Sequence, residues 1–346
     1  MLEKNDKMED CEMKTEAVVF PEANKIEITE IPLREMGPRD MLVETLVTAI
    51  SPGTERWILF GKHLGTKFPC IPGYQRIGIV KKCGEEVKAF KVGDIVYGGG
   101  YEGGYNNIVS MWGAHVGLSV NDWTAYRFLS SSLPDRFELE ALAYGIVASV
   151  ATRGIRFCNV KEGEKILIIG AGFIGICAAQ LALRRGAKPV LLEKDPERVT
   201  FAKKLGFNAF NVDEEELDEK LGKYAPEGFD VLYDTAGHAK TTNRMVQHMK
   251  YQGIILLQSQ YFDLERCALD LDQIKIRELT MRTTCGIRDE DWLETINYIK
   301  NRYIQINPLI THRLNYTDAL EGYRMLSVGK PFNLGVIFYW SEADNI

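Results

Sequence analysis

The chain has no C-x-x-C pair, no block of lysines and arginines, no apolar run of membrane-spanning length and no internal repeat. Each absence removes a class of protein. The seven cysteines, Cys11, Cys70, Cys83, Cys158, Cys177, Cys267 and Cys285, are odd in number and scattered over 346 residues, which offers neither a disulfide framework nor a cysteine-rich zinc knot. Free thiols fit a reducing cytoplasm, the expected location. A net charge of −6 without clustered cations lacks the footprint of a phosphate-binding surface, so neither nucleic acid nor membrane is expected as a partner, and a small molecule is. Residues 1–12, MLEKNDKMEDCE, are highly charged, have no apolar core of a signal peptide, and read as a disordered tail. The rest, 45% hydrophobic and 26% charged overall, is long enough for two domains with full cores.

Against these absences stands one stretch, residues 165–193, KILIIGAGFIGICAAQLALRRGAKPVLLE. A β-branched apolar run precedes Gly170, Gly172 and Gly175, apolar residues at helical period follow, and a second apolar run ends in Glu193. Glycines in the G-x-G-x-x-G spacing between a strand and a helix predict a dinucleotide-binding turn. Gly170 allows the tight turn, Gly172 lets backbone approach a pyrophosphate, and Gly175 lets helix pack on strand. Free amides at Phe173, Ile174 and Gly175, with the positive end of the helix dipole, suit the anion. Glu193 stands where a carboxylate accepts hydrogen bonds from both hydroxyls of an adenosine ribose, and a 2′-phosphate there meets like charge, which argues for NAD over NADP. Lys194 is a cation that partly offsets that repulsion.

Residues 13–97 read as short, closely spaced strands (15–20, 25–31, 41–50, 78–82 and 94–97), the pattern of a compact β-barrel. A weaker aromatic- and glycine-rich region spans 98–129, and 138–157 reads as a helix or helix pair. Beyond Glu193, helices (196–205, 213–224, 241–249) alternate with strands (209–212, 230–233, 253–259, 280–285), which predicts a doubly wound parallel sheet of α/β class. A helix at 290–301, a second at 316–327 and a strand at 335–339 close the chain. The expected division is a tail at 1–12, a first domain at 13–140 completed by 287–346, and a dinucleotide domain at 141–286.

This order resembles the medium-chain dehydrogenase/reductase superfamily over about residues 13–339. Pro72-Gly73-Tyr74 sits where that family has P-G-H-E, Phe90-Lys91-Val92-Gly93-Asp94 matches its F-x-V-G-D, and Thr311-His312-Arg313 with Asp318-Ala319 matches its late T-H-R and D-A pairs. The resemblance implies a GroES-like β-barrel catalytic domain built from both chain ends, a Rossmann domain, cofactor and substrate in the cleft between them, and a homodimer or homotetramer joined through the cofactor-domain sheets at strand 253–259 or its neighbour. It also implies metal ligands that are missing here. The family's catalytic zinc takes a cysteine, a histidine and a cysteine or glutamate, at positions that here read Pro52, Tyr74 and approximately Ile146. Neither catalytic nor structural zinc is therefore expected. ISPGTERWILFGK followed by FPCIPGYQRIGIV is similar to the zinc-free branch typified by the bacteriochlorophyllide (hydroxyethyl) dehydrogenase, over roughly residues 50–80.

Without zinc, a side chain must handle the hydroxyl proton. Tyr74 is the first candidate, since a phenol acts as acid or base when a nearby cation lowers its pKa from about 10; the alternative is an aromatic that only shapes the pocket. Thr54 matches the family's proton-relay hydroxyl. Glu55 either orients it or anchors the loop. His115 is of a residue type that titrates near neutrality and suits a general base. Trp57, Trp112 and Tyr101 are candidates for an apolar wall. Thr235 and Ala236 follow the fourth cofactor-domain strand and Gln258 and Ser259 the fifth, positions where the family meets the nicotinamide ribose and carboxamide. The resulting expectation is a zinc-independent, NAD-dependent oxidoreductase interconverting a secondary alcohol and a ketone, on a polyol, sugar-like or larger hydroxylated substrate. The alternatives are an NAD(P)H-dependent enone or quinone reductase and a catalytically inactive NAD-binding sensor.

Overall fold

The computed structural model describes residues 13–104, 106–261 and 269–340; the expected tail at 1–12 lies outside them. The chain divides into two compact units, one of residues 1–135, 314–324 and 337–346, the other of 136–313 and 325–336. From the start to residue 135 it runs β1 (Lys14–Val19), β2 (Glu27–Pro32), β3 (Asp40–Ala49), α1 (Pro52–Leu59), β4 (Cys70–Ile71), β5 (Gln75–Cys83), β6 (Ile95–Gly98), β7 (Val109–Ser110), β8 (Leu118–Asp122) and β9 (Tyr126–Ser130). Then come α2 (Arg136–Ala143), α3 (Gly145–Cys158), β10 (Lys165–Ile169), α4 (Phe173–Arg184), β11 (Lys188–Glu193), α5 (Pro196–Lys204), β12 (Asn208–Asn211), α6 (Leu217–Tyr224), β13 (Phe229–Asp234), α7 (Ala239–Met245), β14 (Met249–Leu257), α8 (Leu271–Ile276), β15 (Thr280–Thr283) and α9 (Asp289–Lys300). The chain closes with β16 (Ile310–Asn315), α10 (Ala319–Val328) and β17 (Gly335–Tyr339).

In the first unit β3 is the central strand. It pairs antiparallel with β5, with β8 and with the chain's last strand, β17, where Ile337 faces Ala49 and Tyr339 faces Val47. β5 continues to β6 and β6 to β9. The expected barrel is present, and the weak region at 98–129 contributes β8 and most of β9 to its main sheet, while β7 pairs with β4 in a separate two-stranded sheet.

The second unit holds six parallel strands in the order β12-β11-β10-β13-β14-β15. Numbered from β10, that is the 3-2-1-4-5-6 order of a dinucleotide-binding sheet, with its switch point between β10 and β13. Both faces of such a sheet are covered, so the strands are near-continuous apolar runs. Leu167, Ile169, Val190, Leu192, Leu232 and Ile255 pack with Leu217 and Leu221 of α6 and with Met245 and Val246 into one core.

Two details depart from the sequence expectation, and two settle alternatives it left open. The helix or helix pair expected at 138–157 is a pair, broken at Tyr144, whose φ of −86° and ψ of 16° leave the helical range. The acidic stretch becomes helical only at Leu217. Of the strand at 253–259 and its neighbour, the neighbour, β15, is the sheet edge, since β14 is flanked on both sides. Residues 287–313, expected to complete the barrel, group with the parallel sheet instead, because α9 is tied to α3: Arg153 Nη1 donates to the buried Asp291 at 3.0 Å and Thr152 Oγ1 meets Thr295 Oγ1 at 2.7 Å.

Candidate active site

In the first unit, a tight connection leads from β3 into α1. Ser51 is the N-cap of α1, Pro52 occupies the first turn, and the Ser51 backbone N–H donates to Glu55 Oε1 at 2.8 Å. That clasp points the Glu55 side chain inward. There the other oxygen, Oε2, meets His115 Nε2 at 3.0 Å and accepts from the Tyr323 hydroxyl at 2.5 Å. His115 Nδ1 meets Thr48 Oγ1 at 2.8 Å, and Trp340 Nε1 donates to the same Thr48 oxygen at 2.9 Å. Glu55 and His115 are both 0% exposed. Backbone packs directly on the imidazole, since a Cβ at Gly73, where φ is 93°, would stand 2.5 Å from the His115 ring.

Tyr74, the next residue, is half-buried, and its hydroxyl donates to Ser51 Oγ in a short hydrogen bond. The Thr54 hydroxyl is also in hydrogen-bonding reach of it. Burial pushes the phenol up to about 12, and the two hydroxyls only partly oppose this. The cation expected to lower it is not among the groups acting on it, and the Glu55 carboxylate raises it further. Tyr74 is therefore a protonated acid at neutral pH. Of the four catalytic candidates, Tyr74 and Thr54 share a hydroxyl cluster at the start of α1, whereas Glu55 and His115 form a sealed pair behind it. Sequence reasoning missed Ser51; the signal was its place before Pro52, where a helix N-cap belongs.

The three aromatic candidates separate as well. Tyr101 is 4% exposed and its hydroxyl donates to Ile108 O at 3.1 Å, so it packs the barrel. Trp57 is half-buried, edge-on to Phe60 and beneath the Lys62 ammonium. Trp112 is 50% exposed, edge-on to Tyr74 at 5.5 Å and to His63 at 5.6 Å.

In the second unit, the glycine turn follows β10 at the switch point. Gly170 has φ 100°, and a Cβ on Gly175 would lie 1.9 Å from Gly170 O, so helix α4 crosses the turn at a separation only glycine permits. Gly172 is the N-cap of α4, and a Cβ there would meet only Arg198 Nη1, at 3.7 Å. The face in front of Gly172 is thus open to a pyrophosphate, while the first amides of α4, at Phe173, Ile174 and Gly175, have no intrahelical acceptor. The buried Phe173 ring stacks on Tyr144 at 4.1 Å, which fixes the first turn of α4.

Glu193 ends β11 half-buried. Its Oε2 accepts from Ala171 N at 2.9 Å and Oε1 from Lys194 N at 2.7 Å and Asp195 N at 3.0 Å, so the carboxylate is locked beside the turn while the Lys194 side chain is exposed. Thr235, after β13, reaches the turn too: its Oγ1 donates to Ile169 O at 2.8 Å. Ala236 N is held by Asp234 Oδ1 at 2.8 Å. Ser259 Oγ would meet a Cβ on Gly237 at 2.7 Å, which brings the loops after β13 and β14 together. The Gln258 side chain is committed to the fold, accepting from Tyr233 OH and donating to Val150 O at 2.9 Å. Sequence reasoning missed Arg198, the cation nearest Gly172, although its place in the first turn of the helix after Glu193 was legible. These residues fit a nicotinamide dinucleotide.

Two family models match the chain. The one described as alcohol dehydrogenase GroES-like domain covers residues 37–129 and the one described as zinc-binding dehydrogenase covers 174–301. The L-threonine 3-dehydrogenase of Pseudoalteromonas translucida (strain TAC 125) is 30% identical over 325 residues, 88% of this chain and 93% of that protein. Among solved structures, a short chain alcohol dehydrogenase from E. coli CFT073 complexed with NADH has a TM-score of 0.80 at 16% identity, covering 94% of this chain and 99% of that one. A dehydrogenase from Sinorhizobium meliloti 1021 bound to NADP has a TM-score of 0.79 at 19% identity, with 94% and 99% coverage. Both likenesses are of fold.

The zinc named in the second family description needs thiolate, imidazole or carboxylate donors. Residues 52, 74 and 146 offer proline, tyrosine and isoleucine instead. Among the described residues, no three or more histidine, cysteine, aspartate or glutamate side chains gather into a group able to hold a metal ion. The donor set does not fit zinc.

Proposed function

Because the chain belongs to the medium-chain dehydrogenase/reductase superfamily, we propose that it is an NAD-dependent oxidoreductase that interconverts a ketone and a secondary alcohol, with the Tyr74 hydroxyl acting where its relatives use a metal. The observation that carries this reading is the cluster of Tyr74, Ser51 and Thr54 hydroxyls in place of a ligand set. A bound nicotinamide supplies or accepts the hydride. Tyr74, protonated at neutral pH, gives its proton to the carbonyl oxygen as charge develops there, and the Ser51 and Thr54 hydroxyls, each both donor and acceptor, stabilise the phenolate and lead a proton back to it. In the reverse direction the same oxygen takes the alcohol's proton. Glu55 and His115 do not touch that oxygen; they hold the start of α1, and with it Ser51, in position. In the second unit the amides of α4 would hold the pyrophosphate and Glu193 the ribose hydroxyls, which supports NAD, while Arg198 keeps the preference over NADP modest.

The test is absorbance at the NADH band with chelator-treated protein, NADH and a panel of ketones. Turnover is expected to survive chelation and to fall by about 100-fold or more in Tyr74→Phe, with NADH affinity unchanged. Turnover that requires added zinc, or that Tyr74→Phe leaves intact, overturns the reading. Turnover confined to conjugated C=C bonds assigns the chain to enone reduction instead.

A further inference from the structure

The second unit holds a concavity that the proposed reaction does not use. A cavity of about 310 Å³ opens between α3, α4 and α9, lined by Thr152 and Ile155, by Leu181, Arg184 and Arg185, and by Tyr298. Its α4 wall is the end of that helix, whereas the glycine turn sits at the start. The 12 residues of α4 separate the two by about 18 Å, so the cavity is distinct from the pyrophosphate turn. Its walls are also fixed to one another. Thr152, 2% exposed, meets Thr295 Oγ1 at 2.7 Å and ties α3 to α9, so the opening exists before any ligand arrives.

Two cations share this opening. The Arg184 guanidinium lies over the Tyr303 ring, 3.4 Å from its centroid, and 5.5 Å from the centroid of Tyr298. Stacking takes up one face of the planar group and leaves its N–H edge open. Among the described residues Arg184 donates no hydrogen bond and meets no carboxylate. Arg185 uses one donor, Nη1, on Ile155 O at 3.2 Å, which draws it from α4 across to α3, and it too meets no carboxylate among the described residues. Glu294, an acid beside the cavity, is engaged by the Tyr298 hydroxyl, which donates to its Oε1 at 2.5 Å.

Cations near a helix C-terminus offset its dipole, and for that role any solvated charge serves. A stacked guanidinium and a second one drawn over the same opening go beyond it. Two like charges lining one cavity, with no carboxylate between them, suit an anion that each can hold through paired N–H···O bonds. Ile155 and Leu181, both buried, add an aliphatic wall. We propose that this cavity binds a small organic anion, a phosphate ester or a carboxylate, with its charged head on Arg184 and Arg185 and its apolar stem against Ile155 and Leu181. The site does not depend on Tyr74 or on the reaction assigned to the chain.

The experiment is calorimetric titration of the full chain, saturated with NADH and at constant ionic strength, with phenyl phosphate, phenylacetate and inorganic phosphate. At least one of the two aryl anions is expected to bind saturably with a Kd below about 1 mM. Arg184→Gln and Arg185→Gln are each expected to weaken it by about 10-fold or more, while Lys203→Gln, which removes an exposed charge on α5, leaves it unchanged. Arg184 is exposed, so Arg184→Gln is expected to keep the wild-type Tm. Arg184→Lys keeps the charge without the planar fork and is also expected to bind less tightly; wild-type affinity in that variant reduces the site to diffuse charge and overturns it. Tighter phenyl phosphate assigns phosphate esters and tighter phenylacetate assigns carboxylates. Inorganic phosphate bound as tightly as either overturns the role of the apolar wall. No saturable binding of an aryl anion up to about 10 mM, or binding that survives both glutamine variants, overturns the site.

Discussion

Tyr74 determines what a pH profile of this protein looks like. Burial lifts its pKa to about 12, so the protonated form is the resting one. Ketone reduction, which consumes that proton, is expected to show no Tyr74-dependent change between about pH 6 and 9 and to fall only as pH rises toward 12. Alcohol oxidation needs the phenolate, so its rate is expected to climb with pH over the same range, by up to about tenfold per unit, and Tyr74→Phe removes the slope. Opposite slopes in the two directions are the measurement. Glu55 makes a different prediction. Glu55→Ala strands the His115 ring, the Ser51 amide and the Tyr323 hydroxyl in a sealed interior, and a loss of about 3 kcal/mol or more in unfolding free energy is expected by denaturant titration, with NADH affinity unchanged. From sequence Glu55 and His115 read as chemistry because their side chains are chemically able. Their burial depends on Thr48, Tyr323 and Trp340 arriving from distant positions, which no local pattern reveals.

At the scale of elements, legibility follows periodicity. The strand at 165–169 is where the sequence places it, because the switch from a β-branched run to a helical period across three glycines admits one local geometry. The turn then separates two glycine substitutions. Gly172→Ala puts a methyl into open space, so the variant is expected to keep its Tm while losing NADH affinity, since the methyl occupies the anion's approach. Gly175→Ala drives a methyl to 1.9 Å from Gly170 O and is expected to cost about 1–3 kcal/mol of stability as well, read together by thermal melts and NADH titration. Strands β8 and β9 were not legible. Strand β9 buries only two of its five residues and leaves Phe128 51% exposed, so its alternation is broken, and the stretch before β8 takes positive φ at Gly98, Gly99, Gly100, Gly103, Gly104 and Trp112, a path set by tertiary contacts. Whether 138–157 is one helix or a pair stays open in the sequence because the break at Tyr144 is made by packing on Phe173 and by the Tyr144 hydroxyl, which pairs with the backbone of Val336.

For the whole molecule, the order of domains was legible and the allocation of residues 287–346 was legible only in part. Residue 314 onward returns to the first unit in two pieces, separated by 325–336, and nothing in the periodicity of α10 or β17 marks those crossings. The buried pair of Glu55 and His115 gives this topology a temporal meaning. Its partners Tyr323 and Trp340 lie 268 and 292 positions beyond Glu55 and Thr48. A chain growing from the ribosome makes the carboxylate and the imidazole early and the phenol and indole that close over them long afterwards. Until those have emerged, the amino-terminal barrel carries an unsealed pair and lacks the β17 strand beside β3, so this domain reaches its native state later in synthesis than the dinucleotide sheet, whose strands are complete by residue 283.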